Sequence, residues 1–266
     1  MIASKDIQIG ALMRAYSTTP KSVTTMVDSI TITIENLQKV GINDAQIGVW
    51  ADQNNPAADC GETHDAMCAK LASHPGAHIH KTTNGDLFVS TLNEGIQEQA
   101  DRGLTHSLIL SWEAVSYVDA SLINSIKQAV SRGALAVGVA LPEIAEFVCK
   151  GAIMNTLALW DIEALLKVGG FDPHDTKPRY ADHYAGSNAG VGEFIPLIKL
   201  AECHHRPILA VIKPTSQQEM IQVPEDRREL QRKKLESKQR RIDGMLREIG
   251  KTPEDLLATI IPGYPC

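Results

Sequence analysis

From Ile7 to Ile212 the chain alternates short β-branched or aliphatic runs with longer segments whose apolar residues recur every three or four positions. This alternation is the strongest constraint on the fold. A helix-length connection cannot close a hairpin, so successive strands favour parallel pairing, with helices covering both faces of one sheet. The runs Ile7 to Met13, Gln46 to Ala51, Ala77 to Lys81, His106 to Leu110, Ala134 to Leu141 and Ile208 to Ile212 read as strands. Between them lie helical stretches. The first starts at Thr19-Pro20, carries Val23, Met26, Val27, Ile30, Ile34 and Leu37 at helical spacing, and stops at Gly41. Its β-branched residues are poor helix formers, but the three-to-four period overrides that propensity. Pro56 to Ser73, Leu87 to Arg102 (closed by Gly103) and Asp119 to Ser131 (followed by Gly133) continue the pattern.

The stretch Asn155 to Asp172, NTLALWDIEALLKVGGFD, compresses the same grammar. Leu157 and Leu159 alternate on a strand, Asp161 can cap a helix, and Leu165, Leu166 and Val168 form its buried face. Gly169 and Gly170 then end it. Glycine enters the left-handed region at little cost, and two in succession permit a sharp reversal that lets backbone approach a ligand.

With 266 residues, 43% of them hydrophobic, the chain can bury the core of one large α/β domain. A net charge of -6 and a pI near 5.8 offer no overall positive field to recruit nucleic acid. No apolar stretch reaches the roughly 18 residues needed to span a bilayer, and the amino terminus lacks a signal-peptide pattern. These features read as a soluble, cytoplasmic protein. Its five scattered cysteines contain no Cys-x-x-Cys, so reduced thiols are expected.

Several landmarks then follow in a set order. After the first strand comes Met13-Arg14-Ala15-Tyr16-Ser17, and the second ends in Val49-Trp50-Ala51-Asp52. Asn84-Gly85 follows the third, and the next helix carries Asn93-Glu94-Gly95. The fourth ends in Ser111-Trp112-Glu113, and Gly192-Glu193-Phe194-Ile195-Pro196 opens the helix before the last strand. Together with Asn155 to Asp172, this order resembles that of family 2 glycosyltransferases with the GT-A fold, over roughly residues 5 to 213. The resemblance implies a GT-A-like, Rossmann-like, mostly parallel sheet flanked by helices. It implies a nucleotide-sugar donor contacted by Arg14, Tyr16, Asp52, Asn84 and Trp112, and transfer of the sugar to a hydroxyl acceptor that is a saccharide, lipid-linked or a protein.

The family writes Asp-x-Asp at the end of the fourth strand, where two carboxylates hold a divalent cation against the diphosphate leaving group. Here Ser111 replaces the first acid, and Glu113 stands where the last should be. The resemblance therefore implies Mn²⁺ or Mg²⁺ held by Glu113. The family's base is the first member of a Glu-Asp pair starting a helix. Glu193 matches it, Phe194 replaces the aspartate, and Asp182 in Tyr180-Ala181-Asp182-His183 is the substitute base.

Each landmark also has a plainer reading. Asn84-Gly85 is a turn dipeptide, and Glu193 suits the positive end of its helix. The polar, Gly-containing loop from Pro173 to Gly190 can close over an acceptor, with Arg179 or Lys177 reaching phosphates, or carry no structure. Cys60, His64 and Cys68 recur every four residues and share one helix face near His78 and His80, which suggests zinc, although the spacing fits no common zinc module and thiols facing a sheet act as apolar residues. From Pro224 onward charge of both signs dominates, with Leu235, Ile242, Leu246 and Ile249 at near-heptad spacing. Residues 224–266 thus read as a C-terminal helical extension of a 1–223 domain, packing on that domain or on a second copy of itself. The rival functional reading is a catalytically inactive GT-A-like binding or scaffold protein. A nucleotidyltransferase is the weaker third, for want of a Gly-rich, Arg/Lys-containing loop after the first strand.

Overall fold

A computed structural model describes residues 6–15, 20–50, 62–82, 89–142, 144–171, 193–214, 240–244 and 246–264. Seven strands form one sheet: β1 (Ile9–Ala15), β2 (Ala45–Trp50), β3 (Ala77–Thr82), β4 (His106–Leu110), β5 (Ala136–Val139), β6 (Leu157–Asp161) and β7 (Leu209–Ile212). Around it lie α1 (Pro20–Lys39), α2 (Glu62–Leu71), α3 (Val89–Asp101), α4 (Ala120–Ser131), α5 (Ala145–Cys149), α6 (Ile162–Lys167), α7 (Phe194–His204) and α8 (Pro253–Leu257). The spatial order is β3-β2-β1-β4-β6-β5-β7. Pairing is parallel except at β6, which runs antiparallel to both β4 and β5. The expected α/β class, a mostly parallel Rossmann-like sheet with helices, is what the chain forms.

The core explains why these segments hold. All residues of β4 and of β5 are buried, as strands covered on both faces require. β2 shows how the two faces are divided. A Cβ on Gly48 would collide with the Thr91 side chain of α3, so this position faces α3 at close range. Ile47 and Val49 point the other way and are fully buried, on the side where α2 packs against β2, β3 and α1. In α1, Val23, Val27, Ile30, Ile34 and Leu37 are buried at the expected spacing. Burial of that stripe outweighs the poor helix propensity, and Thr31 and Thr33 each donate to a carbonyl four residues earlier, at 2.8 Å.

The cap expected at Asp161 forms, and Asp119, expected as the first residue of its helix, caps it instead. Asp161 accepts from Ala164 N at 2.8 Å, and Asp119 from Leu122 N at 2.7 Å. Two elements escaped the sequence reading, a 3-10 helix over Trp112–Tyr117 and the short α5. The expectation of reduced thiols also needs correction. Cys68 and Cys203 are free, but Cys149 is disulfide-bonded. The alternation of apolar and polar residues carries no information on which thiols meet in space.

The end of the chain joins the sheet edge. Leu209 N donates to Thr259 O at 2.9 Å, and Ile261 N donates to Leu209 O at 2.8 Å, extending β7 outward. A capping box between Thr252 and Asp255 starts α8, and Lys251 pairs with Glu202 of α7 at 2.5 Å. Residues 240–244 and 246–248 are helical, with Ile242 and Leu246 buried and Ile249 exposed. Leu235 lies outside the described residues. Among the described residues no helix is long and apolar enough to cross a membrane.

Candidate functional site

Strand order marks a candidate edge for a site. From β1 the chain moves outward through β2 to β3, then returns across β1 to place β4 on the other side. The winding direction reverses between β1 and β4, and in open α/β sheets ligands bind in the crevice outside the carboxyl ends of the strands at such a reversal. Arg14 lies one residue before the end of β1 and is partly buried. Tyr16 follows directly, outside the described residues, as do Asp52 beyond β2 and Asn84 beyond β3. Ser111 follows β4 directly, and Trp112 opens the 3-10 helix, half-buried against the core. Glu113 is placed by its backbone in that helix, its side chain being outside the description. The substitute base, Asp182, also lies outside it.

Because β6 is antiparallel, its beginning rather than its end reaches this crevice. Ser111 N donates to Thr156 O at 3.0 Å, just before β6 starts. The neighbouring Asn155 N donates to Glu193 Oε1 at 3.4 Å. Glu193 stands at the start of α7 with no side-chain capping bond to its own helix. The Glu193 carboxylate is thus tied to the β6 entrance, on the same sheet edge as Ser111-Trp112-Glu113. Two positions far apart in sequence share one rim.

A chain of contacts stiffens that rim. The buried Asn155 accepts through Oδ1 from Trp160 Nε1 at 2.9 Å. Trp160 meets Phe171 edge to face, with ring centroids 5.3 Å apart. Phe171 is in turn clamped by α3: Asn93 Nδ2 donates to Phe171 O at 2.8 Å, and Phe171 N donates to Asn93 Oδ1 at 2.9 Å. This reciprocal pair needs the sharp turn before it, where Gly169 and Gly170 take φ values of 96° and 73°. The Asn93-Glu94-Gly95 landmark is therefore accounted for by packing. Asn93 secures the Gly-Gly-Phe turn, and Gly95 leaves room for Leu12, whose Cδ1 would lie 2.5 Å from an added Cβ. Sequence reasoning missed Asn155 and Trp160 as a supporting pair, although both fall in the stretch it singled out.

A second polar group lies under α3. His80 Nε2 contacts Thr91 O at 3.2 Å, and Gln46 Nε2 contacts His80 Nδ1 at 2.8 Å. The neutral tautomer with its proton on Nε2 satisfies both. Burial holds the His80 pKa below its ordinary value, against the pull of Glu98, the Thr91 carbonyl and Glu94. At the end of β3, Thr82 donates to Glu94 Oε2 at 2.8 Å. Among the described residues no group of three or more His, Cys, Asp or Glu side chains is placed to hold a metal ion.

Such a sheet, with a switch-point crevice at its carboxyl edge, defines the class of Rossmann-like α/β proteins. No family model and no curated protein matches the chain. Among solved structures it is similar to a cytidylyltransferase from Leptospira borgpetersenii serovar Hardjo-bovis (strain JB197), at 10% identity over 96% of this chain and 99% of that one, with a TM-score of 0.47. It is also similar to a protein described as a nucleotide-diphospho-sugar transferase from Desulfovibrio desulfuricans G20, at 11% identity over 88% of this chain and 96% of that one, with a TM-score of 0.41.

Proposed function

We propose that the chain is a transferase acting on a nucleotide sugar, and more narrowly a glycosyltransferase that moves the sugar from a nucleoside diphosphate to a hydroxyl acceptor. One observation carries the reading: the hydrogen bond from Asn155 to Glu193 puts a carboxylate on the rim of the crevice that Ser111-Trp112-Glu113 borders. In this scheme Arg14, Tyr16, Asp52, Asn84 and Trp112 hold the nucleotide. Glu193, with Asp182 as the alternative, takes the proton of the acceptor hydroxyl while its oxygen attacks the anomeric carbon from the face opposite the leaving diphosphate.

The residues after β4 offer, by sequence, one carboxylate, Glu113, and the Ser111 hydroxyl. That set suits a cation such as Mg²⁺, which keeps several waters and takes substrate phosphate oxygens for the rest of its shell. When bound, the cation would supply charge neutralisation at the diphosphate. The loss of the first acid to Ser111 favours a second reading, an inactive nucleotide-sugar-binding or scaffold protein.

Calorimetric titration with a panel of nucleoside diphosphates and their sugar conjugates, with and without Mn²⁺ or Mg²⁺, separates these readings. The transferase reading expects one nucleotide to bind in a metal-dependent manner, and silence across the panel moves the assignment to the scaffold. With a donor identified, Glu193→Gln should retain donor binding while turnover falls roughly 10²- to 10⁴-fold, the range of a lost general base.

A further inference from the structure

At the amino edge of the sheet, opposite the crevice, lies a cavity that the nucleotide-sugar reading does not use. It opens between the beginning of β1, the connection from α1 to β2, Leu104 ahead of β4, and α4. Its volume is about 260 Å³, room for roughly nine water-sized atoms at ~30 Å³ each. Ile7, Ile9, Val40 and Leu104 wall it and are only half-buried, so their apolar surface stays open to a ligand.

The polar groups of the same cavity are unspent. Ile123 and Lys127 stand one turn apart on one face of α4, and while Ile123 is buried in the wall, Lys127 reaches solvent. Among the described residues nothing pairs with the Lys127 ammonium, and the side-chain amides of Gln8 and Asn43 make no hydrogen bond. Asp44, the acid on the rim, is already matched. Arg102 donates to it through Nε at 2.8 Å and Nη2 at 2.9 Å, and His78 Nε2 lies 3.3 Å away. Lys127 therefore sets the sign of the ligand that the cavity favours, an anion.

We propose that this cavity binds a short 2-oxo or 2-hydroxy carboxylate with a branched aliphatic tail. Lys127 takes the carboxylate through a charge-assisted hydrogen bond. The Gln8 and Asn43 amides, which donate and accept, meet the oxo or hydroxyl oxygen. The tail displaces water from Ile7, Val40 and Leu104. Each part of the lining thus has a counterpart in the ligand. A plain acid would leave the amides idle, and an alcohol would leave Lys127 idle. A six-carbon oxo acid has about nine non-hydrogen atoms, in keeping with the volume.

The test is calorimetric titration of the full chain with 4-methyl-2-oxopentanoate, beside 4-methylpentanoate and 4-methylpentanol, with two-dimensional NMR mapping of the same additions. Saturable binding of the oxo acid at about millimolar concentration is expected, about two- to five-fold tighter than the plain acid and at least about ten-fold tighter than the alcohol. Shifts should cluster at residues 7–9, 40–44, 104 and 123–127 and leave the carboxyl edge around 111–113 unmoved. Lys127→Gln should weaken binding at least about ten-fold and Lys127→Arg should retain most of it. Lys150→Gln, at an exposed lysine paired with Glu146, should change nothing. No saturable binding below about 10 mM, equal affinity for the plain acid or the alcohol, shifts confined to the carboxyl edge, or undiminished binding by Lys127→Gln overturns the assignment. Lys127 is exposed, so its variants are expected to fold, and circular dichroism checks that they do.

Discussion

The His80 imidazole is held between two partners that both suit its neutral form, the Gln46 amide on one nitrogen and the Thr91 carbonyl on the other. Protonation would point a second N–H at the Gln46 NH₂ group and bury a charge under α3. Burial is the largest cause lowering its pKa from 6.5. The sign of the consequence follows from linkage. The unfolded chain takes up this proton near the ordinary value, and the folded chain only at lower pH. Stability is therefore complete above about pH 6.5 and declines as the pH falls from there through the lowered folded value. Urea unfolding across a pH series should show this decline, and His80→Gln should flatten it; an unchanged slope in the variant would assign the pH dependence elsewhere. The sequence displayed His80 only as one of two histidines on a weak strand, because a neutral buried histidine and a solvated one look alike until their partners are known.

The turn after α6 shows how one element fixes another. Asp161 caps the helix, and Gly169 and Gly170 release the chain to Phe171, whose backbone Asn93 then holds from both sides. The two glycines differ in what surrounds them. A Cβ at Gly169 would meet nothing within 4 Å, whereas at Gly170 it would sit 2.7 Å from Asn93 Oδ1. Gly169→Ala is thus expected to cost about 1 kcal/mol, the left-handed strain alone. Gly170→Ala adds the disruption of a partly buried hydrogen-bonded clamp and should cost about 3 kcal/mol. Chemical denaturation of the two single variants measures the difference, and equal costs would mean that Asn93 yields freely. The glycine pair and the cap were legible from residue type. Asn93 was not, since a polar residue on a helix face gives no sign of a partner 78 positions away.

Across the whole molecule, the last residues behave as part of the sheet's edge. Thr259 to Ile261 hydrogen-bond along β7, and the buried Leu256 lies against Gly151, where even a Cβ would meet Leu256 O at 2.6 Å. Leu256→Ala should cost about 2–4 kcal/mol and lower the single unfolding midpoint, the cost expected when a packed leucine leaves a cavity. A separate early transition with the main midpoint unmoved would instead mark the end of the chain as an independently melting unit. By itself the sequence determined the α/β class, the order of the strands and of the longer helices, the cap at Asp161 and the double-glycine stop, because these follow from local periodicity and from the backbone preferences of single residue types. Tertiary structure alone decided that β6 enters antiparallel between β4 and β5, that Asn155 thereby meets Glu193, and that Cys149 is bonded while Cys68 is free. Those outcomes depend on which distant segments lie side by side, and that is set by burial of the whole core rather than by any pattern within one stretch of chain.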